Sequence, residues 1–171
     1  MRGAASTTTL VAKKEEEKET HFPNYLWWVP ISMTDANHKD FSENNTAPVV
    51  WLTPKKSSMK RRLLTEPNQW IIANIRATGY YRVNYDRQNW ELLQQQLKKD
   101  HRIIDPINRA HLIDDAFALA ATKTLPYTLP FDLIRYLQNE QHYVPWTSAL
   151  GSLSYIGRMF SFTMNHGRYK V

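Results

Sequence analysis

The sequence predicts an α+β chain: a small antiparallel β-sandwich followed by antiparallel α-helical hairpins, the start of an α-solenoid. Three observations predict it. Short aromatic and β-branched runs, punctuated by Pro and Gly, fill residues 25–85. After Asp86 the apolar period lengthens to that of a helix. Hydrophobic residues make up 42% of the 171 residues, with six Trp and nine Tyr, which is enough apolar mass for packed cores. The expected organisation is a disordered arm over 1–20, a β-sandwich domain over 21–86, the start of a helical domain over 87–160, and an unpatterned tail over 161–171.

The arm has no aromatic residue and no sustained apolar period. It consists of a Ser/Thr stretch, Ser6 to Thr9, and a mixed charge run, Lys13 to Glu19. The first strand is expected in Tyr25–Ile31, bounded by Pro23 and Pro30, and the second in Val49–Leu52, stopped by Pro54. Trp70 to Ala77 forms a third, with Ile71, Ala73 and Ile75 alternating against Asn74 and Arg76. Thr78-Gly79 reads as a tight turn in which Gly supplies a positive φ. Tyr80–Tyr85 then returns as a fourth strand, with Tyr81, Val83 and Tyr85 on one face and Tyr80, Arg82 and Asn84 on the other.

Asp86 is a suitable N-cap for a helix through about Lys99, burying Trp90, Leu93 and Leu97. Asp105-Pro106, a cap followed by proline at the first helical position, starts the next. That helix, Ile107 to about Ala121, carries Leu112, Ile113, Ala116, Phe117 and Ala120 as its core stripe. Thr128 caps a third helix through about Leu137. Pro145 opens a fourth, with Ala149, Leu153 and Ile156 along one side, and the pattern stops at Phe160. Helical hairpins that bury their faces on neighbours need those neighbours, so the run reads as the start of a stack and the chain as a fragment.

Several functional classes are excluded or weakened. The longest apolar run is Tyr25–Val29, far short of the roughly 20 residues that cross a bilayer, so no membrane span is expected. The start of the chain lacks the apolar stretch of a signal peptide. With no cysteine there is no disulfide framework, thiolate metal site or Cys nucleophile. Net charge is +6, but Lys55, Lys56, Lys60, Arg61 and Arg62 supply five of those charges in KKSSMKRR. A solvated basic loop is the favoured reading; the rival is a polyanion-binding patch, and nucleic acid is not an expected partner.

The residues assemble no catalytic site. The histidines are His21, His38, His101, His111, His142 and His166, none of them in an H-E-x-x-H helix that would hold zinc beside a general-base Glu. His111, Asp114 and Asp115 form the best local cluster, and a helix-surface His beside ion-pairing carboxylates outweighs a metal site there. Adjacent Asp114 and Asp115 point about 100° apart on a helix, a poor geometry for sharing a proton. There is no G-x-S-x-G elbow and no Gly-rich phosphate loop. Tyr80, Tyr81, Tyr85 and Arg82 could stack bases on a sheet face; packing explains their alternation better. Asn44-Asn45-Thr46 is an N-x-T sequon, consistent with an extracellular loop. No catalytic, cofactor-binding or metal-binding residue is assigned.

Several stretches together resemble one family. They are PNYLWWVPIS (23–32), QWIIANIRATGYYRVNYD (69–86), NWELLQQQL (89–97), INRAHLIDDAFALA (107–120) and YVPWTSALGSLSYI (143–156). The chain resembles zinc aminopeptidases of the aminopeptidase N type over about residues 21–160, and most closely the membrane-anchored enzymes of animals. TGYYRVNYD followed by a Trp helix and NRAHLIDDAF is a specific combination.

The resemblance implies the small β-sandwich third domain and the first helices of a C-terminal solenoid that closes over the active site. The zinc motif with its downstream Glu, the G-x-M-E-N motif and the transition-state Tyr lie upstream in that family, so zinc is not expected in this chain and no catalytic role is carried over. The implied function is a non-catalytic segment supporting the catalytic domain of a metalloaminopeptidase. That domain is the partner, and peptide substrates are met only through the parent enzyme. The implied location is extracellular or anchored at the plasma membrane. Residues 1–20, the charged loop 55–62 and the tail after Phe160 depart from the family pattern, which fits a truncated gene model, a splice form or a duplicated remnant. The alternative is a free-standing interaction module using its unfinished helical face.

Overall fold

The computed structural model describes residues 7–11, 27–53, 58–62 and 68–161. The chain is α+β, with antiparallel strands first and helices after. It divides into two units, Met1–Tyr81 and Arg82–Val171.

Within the first unit the strands are β1 (Thr7–Val11), β2 (Val29–Ile31), β3 (Met33–Asp35), β4 (Val50–Leu52), β5 (Ser58–Arg62) and β6 (Ile71–Ala73). They form three antiparallel pairs: β1 with β5, β2 with β4, and β3 with β6. Ser32, between β2 and β3, is buried and organises the passage from one pair to the next. Its carbonyl accepts from Asn74 N–H at 2.9 Å and its hydroxyl from Ile75 N–H at 2.9 Å. Ile31, Leu52, Trp70 and the run Ile71 to Ala73 make the core, together with Ile75. Val29, Val50 and their neighbours pair as β-branched residues do on a half-buried pleat.

Four expectations for residues 1–85 are corrected. Residues 1–20 are not an irregular arm throughout, and 55–62 is not simply a basic loop, because Thr7–Val11 pairs with Ser58–Arg62. A Thr/Val-rich strand has local propensity, but its partner lies some fifty residues away, beyond any local pattern. The third strand ends at Ala73, giving way to a 3₁₀ turn at Ile75–Ala77. Tyr80–Tyr85 forms no ladder, although the expected alternation survives as burial: Tyr81, Val83 and Tyr85 are covered while Tyr80, Arg82 and Asn84 are exposed.

The expected positive φ at Gly79 is absent; the left-handed residues are Asn74, Arg76 and Ala77 at φ of 59°, 53° and 50°. Asn tolerates that conformation because its amide bonds locally. Here Asn74 Oδ1 accepts from Gly79 N–H at 2.8 Å, and Nδ2 donates to Gly79 O at 2.9 Å and to Tyr81 O at 3.3 Å. Gly79 is required for space, since a Cβ there would overlap the Tyr81 ring.

In the second unit the helices are α1 (Arg87–Asp100), α2 (Pro106–Ala121), α3 (Thr128–Leu133) and α4 (Tyr143–Phe160). Asp86 Oδ1 accepts from Asn89 N–H at 2.7 Å and starts α1, as expected, while Lys98 and Lys99 sit where the helix dipole favours cations. Asp105 caps α2 through Ile107 N–H at 2.9 Å, with Pro106 at the first position. Thr128 is the first residue of α3 and not its cap, and a 3₁₀ stretch, Ile134–Asn139, replaces the expected last turn. His142 caps α4, so Pro145 falls inside its first turn, where no helical N–H is lost. Helix α2 is the hub, packing on α4 and α3. Every residue expected in its core stripe is buried, as are Trp90, Leu93 and Leu97 of α1. Tail residues 162–171 and His21 lie outside the described residues. No described helix is long and apolar enough to cross a membrane.

Candidate functional site

Two polar clusters in the helical unit hold its buried charges. The first contains the residues that sequence reasoning weighed for metal binding. Arg82 Nη1 donates to Asp114 Oδ2 at 2.6 Å and to Asp115 Oδ1 at 3.1 Å. Asp115 is 1% exposed, and its second oxygen accepts from Val83 N–H at 2.8 Å. His111 Nε2 lies 3.4 Å from the same oxygen. Adjacent Asp114 and Asp115 diverge as the helix requires, one toward solvent and one inward. Asp115 is thus buried on α2, although its neighbour Asp114 is exposed. Burial pushes its carboxyl up, and His111, the Val83 N–H and Arg82 only partly counter this. Burial also works against charge on Arg82, but the two carboxylates outweigh it and hold the guanidinium above its ordinary value.

This arrangement does not fit zinc. Both carboxylates already face a guanidinium, whose charge would repel a second cation, and a thiolate is absent. Among the described residues no group of three or more His, Asp or Glu is placed to hold a metal ion.

The second cluster was missed. Arg109, 4% exposed, meets Glu140, 8% exposed, across 31 residues of sequence. Its Nε lies 2.8 Å from Glu140 Oε2 and its Nη2 donates to Oε1 at 3.1 Å. Nη1 donates to His101 O at 3.0 Å and to Ile104 O. Glu140 Oε1 also accepts from Gln141 N–H at 3.0 Å and His142 N–H at 2.9 Å, so it orders the entry to α4. Burial alone would raise the Glu140 carboxyl; the His142 N–H and Arg109 overcome it and hold it below its usual range. Burial, reinforced by Glu140, pushes the neighbouring Tyr136 phenol up. A signal was available: Arg109 stands at i−3, i−4 and i−7 to Leu112, Ile113 and Ala116, on the same face at the head of the core stripe. A charge there demands a buried partner.

The remaining candidates are dispersed. His38 Nδ1 pairs with Asp35 at 3.0 Å, His101 lies 3.9 Å from Glu140, and His142 caps a helix. Tyr80 is fully exposed, whereas Tyr85 packs edge-on to Trp90 at 5.1 Å, so the tyrosines form no stacking sheet face. A groove of about 400 Å³ runs between α2 and α4, lined by Ala118, Ala121, Tyr127, Ser148, Gly151 and Tyr155 among others. Helix α4 also exposes Tyr143, Trp146, Leu150 and Met159. These clusters can brace helices and present an apolar face, and members of both line cavities: Asp114 the groove between α2 and α4, and His101, Arg109, Glu140 and His142 a second one of about 500 Å³.

The profile of one family, described as the ERAP1-like C-terminal domain, matches residues 70–170. Among curated relatives, an aminopeptidase N of Plutella xylostella is 37% identical over 164 residues, covering 95% of this chain and 17% of the relative. The aminopeptidase N of Mus musculus is 40% identical over 147 residues, covering 86% of this chain and 14% of the relative. The thyrotropin-releasing hormone-degrading ectoenzyme of Rattus norvegicus is 35% identical over 156 residues, covering 91% and 14%. The chain thus spans less than a fifth of the length of these relatives.

Proposed function

The chain belongs to the family of the ERAP1-like C-terminal domain, and from that membership we propose that it is a non-catalytic segment of an aminopeptidase N-like zinc metallopeptidase. The parent activity is removal of N-terminal residues from peptides. Zinc and the catalytic groups belong to residues outside this chain. The strand pairs of 21–86 represent the sandwich domain and α1 to α4 the first helices of the C-terminal domain, together bracing the catalytic domain, their partner. One observation carries the reading: the match takes in nearly all of this chain and only a small part of each relative. The location is extracellular or plasma-membrane-anchored, in keeping with the name ectoenzyme borne by the rat relative.

The test is an assay of the purified chain against a chromogenic leucine amide, with and without added zinc. No release above buffer is expected. Zinc-dependent release would overturn the reading. The exposed apolar residues of α4 favour a second reading, a free-standing interaction module. A monomeric, cooperatively melting chain supports the module, and concentration-dependent association supports the segment.

A further inference from the structure

We propose that Asn44 is an acceptor for an N-linked oligosaccharide. Asn44-Asn45-Thr46 is the one N-x-S/T tripeptide in the sequence, and its middle residue is not proline. The three residues lie in the 3₁₀ turn Glu43–Thr46, which contains no buried residue. The two asparagines are treated differently by the fold. Asn45 is half-buried, with its amide donated to Asp40 O at 2.8 Å and its N–H to Ser42 O at 3.1 Å. Asn44 is exposed, and its side-chain amide makes no hydrogen bond to another described residue. The acceptor position of the motif is therefore the one whose amide is free. Ser42, Glu43, Ala47 and Pro48 around it are exposed as well, so a bulky, hydrated substituent meets solvent and not packed chain.

Thr46 supplies the hydroxyl the motif needs; after folding it donates to Glu43 O at 2.7 Å. That bond ties the hydroxyl to the turn's own backbone, while Asn44 stays exposed. In the transfer, Asn44 Nδ2 forms a bond to the anomeric carbon of a lipid-pyrophosphate-linked oligosaccharide. The bond from that carbon to the phosphate oxygen breaks, the lipid pyrophosphate departs, and Nδ2 gives up one proton to a base of the transferase. No oxidant or reductant is involved.

The assignment rests on the extracellular reading only for where the chain meets this donor, so the experiment separates the two. The full chain is directed into the secretory lumen of a eukaryotic cell by a cleavable leader and recovered from the medium. A gel shift removed by peptide N-glycosidase is expected, with conversion of Asn44 to Asp in the peptide spectrum. The shift is lost completely in Asn44→Gln and Thr46→Ala and kept in Thr46→Ser and Asn45→Gln. Because Asn44 is exposed, Asn44→Gln is expected to be secreted at the parental level. Secreted chain with unmodified Asn44, or a shift that survives in Asn44→Gln, overturns the assignment. Unmodified chain from source cells beside modified leader-directed chain overturns the extracellular reading and supports Asn44 as a competent acceptor.

Discussion

Replacing Glu140 by Gln removes one charge from the best-buried ion pair of the helical unit. Arg109 stays buried, with two of its donors on His101 O and Ile104 O but its Nε and Nη2 facing a neutral amide. Breaking a buried pair from one side typically costs about 3–5 kcal/mol, because the surviving charge keeps its desolvation penalty. Against a domain stability of about 5–15 kcal/mol this is a large share. For a unit of this size each kcal/mol moves Tm by about 4–8 °C, so the fall expected is at least about 12 °C. The assay is thermal unfolding of the full chain followed by helical circular dichroism. The double variant Arg109→Met/Glu140→Gln removes the stranded charge and is expected to lie above the sum of the single losses, although His101 O and Ile104 O then lose a donor. A loss below about 1 kcal/mol in Glu140→Gln, or strict additivity in the double variant, would refute the reasoning that this pair braces the entry to α4.

The pair also has a pH signature. Glu140 is held below its ordinary value of 4.5 in the fold, so the stability it contributes is present above that pH and is lost as pH falls through the folded value; acid titration of Glu140→Gln should show a shallower decline there than the parent. Asp115 has the opposite sign. Its carboxyl is raised, so its contribution is fullest below pH 3.8 and is lost as pH rises through the folded value. Asp115→Asn is therefore expected to be well tolerated near neutrality, while Asp115→Ala strands the Val83 N–H at a cost of about 1–3 kcal/mol; equal urea midpoints for the two variants would contradict this. Gly79→Ala forces a Cβ into the Tyr81 ring and should destabilise the strand unit by about 1–3 kcal/mol, read by hydrogen exchange at Ile71–Ile75. Leu150→Lys on exposed α4 should reduce concentration-dependent association in sedimentation without lowering Tm by more than about 0.5 kcal/mol equivalent.

Helices α1 and α2 were legible because each carries its own start signal and stripe. Asp86 and Asp105-Pro106 act through bonds spanning two or three residues, and Trp90, Leu93 and Leu97 share a face by period alone. The strand unit was less legible because its bonds are non-local. Thr7–Val11 finds its partner at Ser58–Arg62, and a positive φ expected of Gly79 is taken by Asn74, whose side chain replaces the turn's missing ladder. The clusters divided the same way. His111, Asp114 and Asp115 were found because they are neighbours on one helix, but the Arg82 that fills their oxygens lies some thirty residues earlier. Arg109 announced itself at the head of an apolar stripe, while Glu140, just before α4, carries no local mark.

The central claim is that this chain supports catalysis carried out by residues it does not contain. The most direct measurement is complementation: the upstream part of an aminopeptidase N, ending before the region matched here, is co-expressed with this chain and assayed for release of leucine from an amide. The account predicts a co-purifying complex with activity well above either part alone, and weaker complementation by Glu140→Gln. Leucine release by this chain alone, or an upstream part whose activity is the same with and without it, would contradict the account.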